Sequence, residues 1–514
     1  MQGDRSRRVR ARPAPPVVGS AVARLLRLDV MRSRFLAAVW FVGCSAPDGP
    51  APRPASAEQP APTATEGWQT AGPKPQAPTI GPEPSAAIVA PDATAAHAAV
   101  QSVVHGEVLA EHSNVHFTPI EDPSGRALHA FHAALRDLGD HPADGKKVRV
   151  AFYGASSVAA DRYPGYLRGY LQQRFGDGGV GFVTLVPLWR WHRHDAVRLD
   201  ANKHWKIEHG QRKAGKLDGY YGLLGASAHS THKRARTTLH SKASAVSGIN
   251  DSDSFAIQLL EQPGGGSLSV KFGAGKSATS ASLSTAAEAF ALRTVPVPLP
   301  DTFTPMTIQV ATEDEVRIMG GIFERDQAGV VVDALGIGGT RSANIVNWDV
   351  PMWSAALRAR APSLYVLAYG ANESVDEDEP IEVYRENLEA VLDRFAAAVP
   401  DASCVLVGPV DYPLNDEETE TWGVRPRLRE ILTAQREIAA QRGCGFFDTS
   451  KLTGGLGSMP DWVAADPQLA KGDHLHLTPL GYTHFGRVLS DALMADFDGP
   501  PRVQPSQPVV NPSP

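Results

Sequence analysis

Two hydrophobic rhythms alternate along the chain, and a third kind of patterning separates them. From Ala127 to Asp140, Leu128, Phe131, Leu135 and Leu138 recur at helical spacing and predict an amphipathic helix. Val148 to Tyr153 is a continuous apolar run ending at Gly154, and it predicts a buried strand. A helix follows, with Tyr166, Leu167, Tyr170, Leu171 and Phe175 as its inner face. Strand, tight glycine turn and helix form the opening unit of a doubly wound sheet. The same rhythm resumes late in the chain. Gly329–Gly336, Leu364–Tyr369, Cys404–Gly408 and Gly445–Asp448 read as strands. Tyr384–Ala398, Arg427–Arg442 and His484–Phe497 read as helices. Apolar runs without alternation suit a parallel sheet covered on both faces.

Between Leu188 and Arg325 the strands are short and punctuated by Gly-, Ser- and Pro-rich turns. Phe255–Leu260, Leu268–Phe272, Met306–Val310 and Val316–Ile318 predict a β-sandwich inserted after the first β-α unit. The expected fold is α/β, a doubly wound parallel sheet flanked by helices, with an inserted β-sandwich.

Composition and charge add a leader and a tether. The 514 residues carry 50 Lys and Arg against 56 Asp and Glu, a net charge of −6. Nine arginines and two aspartates fall before residue 46, so the leader is basic and the body acidic. An acidic body argues against a nucleic-acid partner. The run Phe35–Gly43 follows Met31-Arg-Ser-Arg34 and precedes Cys44, the pattern of an export signal. With Val42-Gly43-Cys44 in its last three places it resembles a bacterial lipoprotein signal, which makes Cys44 the expected lipidation site. Met31 then reads as an alternative start, with 1–30 an over-extended leader. Twelve prolines between Ser45 and Asp92 predict an extended tether that cannot bury enough apolar surface to order itself. The expected organisation is leader 1–44, tether 45–95, first part of the α/β domain 96–187, inserted sandwich 188–325, second part 326–498 and a tail, 499–514.

The candidate chemistry sits at strand ends. Ser156, in Gly154-Ala-Ser156, lies on a strand-to-helix turn, where a serine is either an exposed nucleophile or a helix cap. Asp473 and His476, three apart, can meet on one turn, with Asp473 fixing the tautomer of a base that serves Ser156. His474 competes as base, but its side chain is expected to point away from that of His476. A metal reading of this cluster lacks a second ligand set of recognisable spacing. The loops Gly336-Ile-Gly-Gly339 and Gly370-Ala-Asn372-Glu373 follow two strands and offer a Gly N–H and an Asn amide to an oxyanion. Trp189, Trp191, Trp205, Tyr220 and Tyr221 are either a sugar-stacking cleft wall or the core and hinge of the insert. Cys404 and Cys444 begin neighbouring strands, as a disulfide in an oxidising compartment or as two buried thiols.

Together, Ser156, Gly339, Asn372 and Asp473 with His476, in this chain order, resemble the SGNH (GDSL-like) hydrolase family over 145–187 and 327–495. Gly370-Ala-Asn372-Glu373 and Gly176–Phe182 resemble the branch of peptidoglycan and polysaccharide O-acetylesterases, some of which carry an inserted carbohydrate-binding-type sandwich. The resemblance implies a serine esterase with a Ser156–His476–Asp473 triad. Ser156, Gly339 and Asn372 would form its oxyanion hole, with no metal or other cofactor. It implies an acetylated glycan as substrate, while the lipoprotein-like signal implies a lipid anchor at Cys44 in the bacterial cell envelope, at the outer membrane on its periplasmic or surface side. Two other readings remain open at this point: an O-acetyltransferase using the same site, and a surface-anchored carbohydrate-binding protein on a degenerate scaffold. The chain departs from the family pattern at Ala155, where Asp is usual, and at Ser157, where His or Leu is common.

Overall fold

The structure, a computed structural model, describes residues 92–104, 115–242, 248–275, 278–301, 303–416, 418 and 421–498. The expected leader, the lipidation site Cys44, nearly all of the tether and the 499–514 tail lie outside the described residues.

The central sheet has six strands: β1 (Ile120–Glu121), β2 (Lys147–Gly154), β3 (Gly329–Gly336), β4 (Leu364–Ala368), β5 (Ser403–Val407) and β6 (Gly445–Phe447). Their spatial order is β1-β6-β5-β4-β2-β3. All neighbours run parallel except the edge strand β1, which pairs antiparallel with β6. One face carries the helices Tyr163–Phe175 and Pro479–Asp498, packed over Val150, Phe152, Val330 and Val366. The other face carries Ile381–Ala398 and Pro426–Arg442 over Ala151, Tyr153, Leu367 and Leu406. Burial on both faces is why these strands read as unbroken apolar runs.

The register aligns the ends that matter: Gly154 pairs with Gly336 on one side and with Ala368 on the other. A Cβ on Gly154 would lie 2.4 Å from Val158 Cγ2, and one on Gly336 would lie 2.1 Å from the Ala159 nitrogen. Both positions are bare so that the short helix Ser156–Ala159 can settle directly on the strand ends. On the far side of the sheet Val405 pairs with Gly445, which sets Cys404 beside Cys444. Their Cα atoms are 4.7 Å apart and the two sulfurs are bonded.

Strands from 197 to 324 form two antiparallel sheets. Thr279–Ser284, Ser267–Phe272, Met306–Val310, Arg236–Ser241 and Val197–Ala201 make one. Ala291–Pro296, Ser254–Glu261, Val316–Glu324, Ala226–Ser230 and Lys206–His209 make the other. The sheets share a core of Leu239, Val270, Ile308, Ile257, Leu259 and Phe323. The second sheet also takes in Gly181–Val183, which pairs with Val316–Glu324. The strand from Val316 runs on through Gly320 and Gly321 to Glu324, well past Ile318. Those glycines are not a turn. A Cβ on Gly320 would lie 2.1 Å from the Phe182 ring, and one on Gly321 would lie 2.7 Å from that of Phe255.

Glu324, the last residue of that strand, clamps the antiparallel sheets to the parallel one. It takes two hydrogen bonds from Arg149 on β2, both 2.9 Å, and one of 2.7 Å from Arg360. Burial opposes its ionised form, yet the hydrogen bonds and charges of the two arginines prevail and hold its pKa down at about 2. A depressed folded-state pKa stabilises the fold fully above the unfolded value near 4.5, and that stability is lost as pH falls toward 2. The contribution is about 3 kcal/mol. Urea unfolding followed from pH 6 to pH 2 should lose this amount in the wild type. Glu324→Gln should be less stable at pH 6 and flatter below pH 4.5. An unchanged acid limb in the variant would discount the clamp.

Candidate active site

Ser156 opens its short helix immediately past the end of β2, and half-burial leaves its hydroxyl accessible. Its Oγ lies 2.9 Å from His476 Nε2, across 320 residues of sequence. His476 Nδ1 lies 2.8 Å from Asp473 Oδ2. An ionised carboxylate can only accept, so Nδ1 carries the ring proton and Nε2 accepts from the serine hydroxyl.

The loop carrying Asp473 and His476 is locally built. The Lys471 N–H donates to the His476 carbonyl (2.8 Å), and the Thr478 N–H donates to the Leu469 carbonyl (2.9 Å). Asp473 Oδ1 accepts the N–H groups of His476 (2.9 Å) and Leu475 (3.1 Å), leaving Oδ2 for the imidazole. Partial burial raises the pKa of Asp473, but these bonds, chiefly that from the His476 ring, outweigh it and bring it down to about 2. The residue is therefore a fixed negative charge across the range where an esterase works. His474 takes a left-handed φ of 54°, and its Nδ1 lies 3.1 Å from the Gly472 carbonyl. Its ring stacks on Trp422, so it turns away from Ser156.

Asn372 follows β4 and lines the same small cavity as Ser156 and His476. Its amide donates to the Thr340 carbonyl at 2.8 Å, which uses one of two amide hydrogens and fixes the plane of the other. Gly339 does not line that cavity. It sits on the adjoining loop with φ 78°, and its carbonyl accepts from Gln211 Nε2 at 2.6 Å. Ser157 lies 3.4 Å from the Tyr163 hydroxyl rather than against His476, which singles out Ser156 as the serine in contact with the base. Ala155 precedes the turn and offers no side-chain cap. The cavity is about 60 Å³, and Ala368, Val407, Pro409 and Val410 supply its apolar wall.

Two supporting residues have roles that the sequence does not reveal, although Glu373 itself closes the Gly370-Ala-Asn372-Glu373 motif. Buried Glu373 accepts from the Ser342 N–H (2.8 Å) and the Gly370 N–H (3.0 Å), tying the loop after β3 to the loop after β4. Gln211 reaches in from the turn after Lys206–His209, and only the tertiary fold brings it to Gly339. The aromatic candidates divide. Trp189 and Trp191 are exposed, at 36% and 52%, whereas Trp205 and Tyr221 are buried and serve as core. Trp189 packs against the backbone of Gly338, where a Cβ would lie 2.5 Å from its ring.

A nucleophilic hydroxyl, an oriented imidazole and an amide donor around one cavity are the parts of an acyl-transfer site. Residues 312–484 match the family described as GDSL-like lipase/acylhydrolase, a span that includes Gly339, Asn372, Asp473 and His476 but begins after Ser156. Over that span the chain is similar to GDSL-like acylhydrolases, which supports an esterase. Among solved structures it is similar to a peptidoglycan O-acetylesterase, at 22% identity and a TM-score of 0.61, over 74% of this chain and 99% of that one. That likeness is one of fold. A carbohydrate esterase of family two from Cellvibrio japonicus matches at 10% identity and a TM-score of 0.22, over 59% of this chain and 98% of the other. An acetyl xylan esterase matches at 14% identity and a TM-score of 0.24, over 32% and 80%. No curated protein matches the sequence.

Proposed function

We propose that the protein is a serine esterase of the bacterial cell envelope that removes O-acetyl groups from peptidoglycan or a related polysaccharide. The observation that carries this reading is the unbroken chain Ser156 Oγ–His476 Nε2, His476 Nδ1–Asp473 Oδ2, at 2.9 and 2.8 Å. Ser156 Oγ attacks the ester carbonyl as Nε2 takes its proton. The Ser156 N–H and the Asn372 amide stabilise the oxyanion. His476 returns the proton to the departing sugar oxygen. Water, activated by the same imidazole, then attacks the acetyl-enzyme and releases acetate. A cavity of about 60 Å³ is room for about four water-sized groups, which suits an acetyl group. The similar structure named as a peptidoglycan O-acetylesterase supports the glycan as substrate class.

The test is acetate release from O-acetylated peptidoglycan and from p-nitrophenyl acetate, with Ser156→Ala as control. Release from neither substrate, or an undiminished Ser156→Ala protein, would refute the reading. The antiparallel sheets within 188–325 are read as an inserted carbohydrate-binding-type sandwich, and Cys44 as the site of the lipid anchor. Cys44→Ser should move the protein from the membrane fraction to the soluble fraction. Retention in the membrane would rule out that anchor.

A further inference from the structure

We infer that Trp422 is a platform on which a sugar ring of the acylated glycan stacks, with Asn415 beside it to bond the ring's hydroxyls. The inference rests on the glycan esterase reading and adds to it the residues that would hold the polymer.

After β5 the chain forms the cavity wall at Pro409 and Val410, then a hairpin of Leu414–Asp416 with Thr421–Gly423. Both hairpin strands are exposed throughout and only three residues long. Such a hairpin has too little to bury to order itself. Trp422 is one of the contacts that hold it, with its ring 3.7 Å from that of His474 at an interplanar angle of 25°. His474 is itself buried, next to Asp473 and two residues before His476. One face of the indole therefore rests on the loop that carries the base, and the side chain is still 39% exposed. Trp is among the residue types most enriched at binding hot spots. The carbon-hydrogen face of a pyranose is flat and apolar enough to cover an indole, and its rim of hydroxyls needs polar partners.

Asn415 supplies one. It pairs directly with Trp422 across the hairpin, so the two side chains leave the same face. Its amide can both donate and accept. The hairpin stands at the β5 end of the row of strand ends β3-β2-β4-β5, and Trp189 stands at the β3 end against Gly338. Three strand spacings, about 14 Å, separate those ends, with Ser156 and Asn372 between them. A glycan laid along the row has an aromatic ring at each end and the reacting ester in the middle.

The test compares Trp422→Ala and Trp422→Phe with the wild type on solubilised O-acetylated peptidoglycan and on p-nitrophenyl acetate. Trp422→Ala should raise KM for the glycan about tenfold, with kcat within about twofold. Its kcat/KM on p-nitrophenyl acetate should stay within about twofold, because that ester has no sugar to stack. Trp422→Phe should recover most of the glycan KM. An unchanged glycan KM in Trp422→Ala would overturn the inference. So would an equal loss on both substrates, which would mean that Trp422 only positions the Asp473–His476 loop through His474. A wild type that hydrolyses p-nitrophenyl acetate but releases no acetate from glycan would overturn this inference together with the glycan reading, whereas the first two results overturn the inference alone.

Discussion

Ser156→Ala and His476→Ala should each lower esterase kcat by about 10³-fold or more, and the double variant should be scarcely worse than either. The two atoms form one proton-transfer unit, Oγ to Nε2 at 2.9 Å, so deleting either partner removes the same step. About 4 kcal/mol of transition-state stabilisation is at stake. Neither side chain supports the core, since both are only half-buried, and thermal unfolding should move little. Asp473→Ala should cost less than either, because its main work is orientation, and the loop is also closed by the Lys471 and Thr478 backbone bonds. Ser157→Ala is the internal control. Its hydroxyl faces Tyr163, and its loss should leave kcat nearly unchanged. Steady-state kinetics on p-nitrophenyl acetate decides the matter, and an inactive Ser157→Ala beside an active Ser156→Ala would make Ser157 the nucleophile and overturn the assignment to Ser156.

Asn372→Ala should lower kcat by about 10²–10³-fold with little change in KM, the usual effect of one lost oxyanion donor. The amide is held in place by the Thr340 carbonyl at 2.8 Å, and its loop is tied down through buried Glu373. Little reorganisation is needed when charge develops on the substrate oxygen, which makes a fixed donor worth more than water. A variant that loses KM and keeps kcat would place Asn372 in ground-state binding instead.

The parallel sheet was readable in the sequence because burial on both faces leaves unbroken apolar runs, and β3 spans the predicted Gly329–Gly336. The strand-end residues were readable for a related reason: Gly154 and Gly336 are bare where the backbone must pass. The sequence pattern hid other elements. The helix Val350–Arg360 carries its own start signal, since Asp349 accepts from the Met352 N–H at 2.9 Å and Pro351 follows, yet its apolar face is too short to stand out. The closing helix begins at Pro479, five residues before the apolar periodicity suggests, because Thr478 Oγ1 accepts the Gly481 N–H at 3.2 Å. The helix Ala93–Val104 follows directly on the Pro-rich stretch. It is fixed by His97, which bonds Tyr166 at 2.8 Å and Asp491 at 2.7 Å, contacts no local pattern can announce. Gln211 and Trp422 escaped for the same reason, and Glu373 was seen only as part of its motif: their roles come from partners distant in sequence or from a turn whose shape the fold decides.

The antiparallel sheets and the catalytic sheet share interior. Tyr221, Leu223, Leu224 and Ala226 are buried with Tyr153, Trp348 and Trp353, and the Tyr153 hydroxyl donates to the Leu223 carbonyl at 2.9 Å. The stretch 188–325 is thus not a cartridge that can be unplugged. A shortened gene joining 187 to 326 would uncover those aromatic rings, release the Gly339 carbonyl from Gln211 and leave Arg149 and Arg360 without Glu324. Transplanting this stretch into another hydrolase would carry half of a hydrophobic seam with nothing to close it. Changing what the enzyme acts on is therefore a matter of rewriting loops in place, and trading whole modules would cost the fold before it altered the substrate.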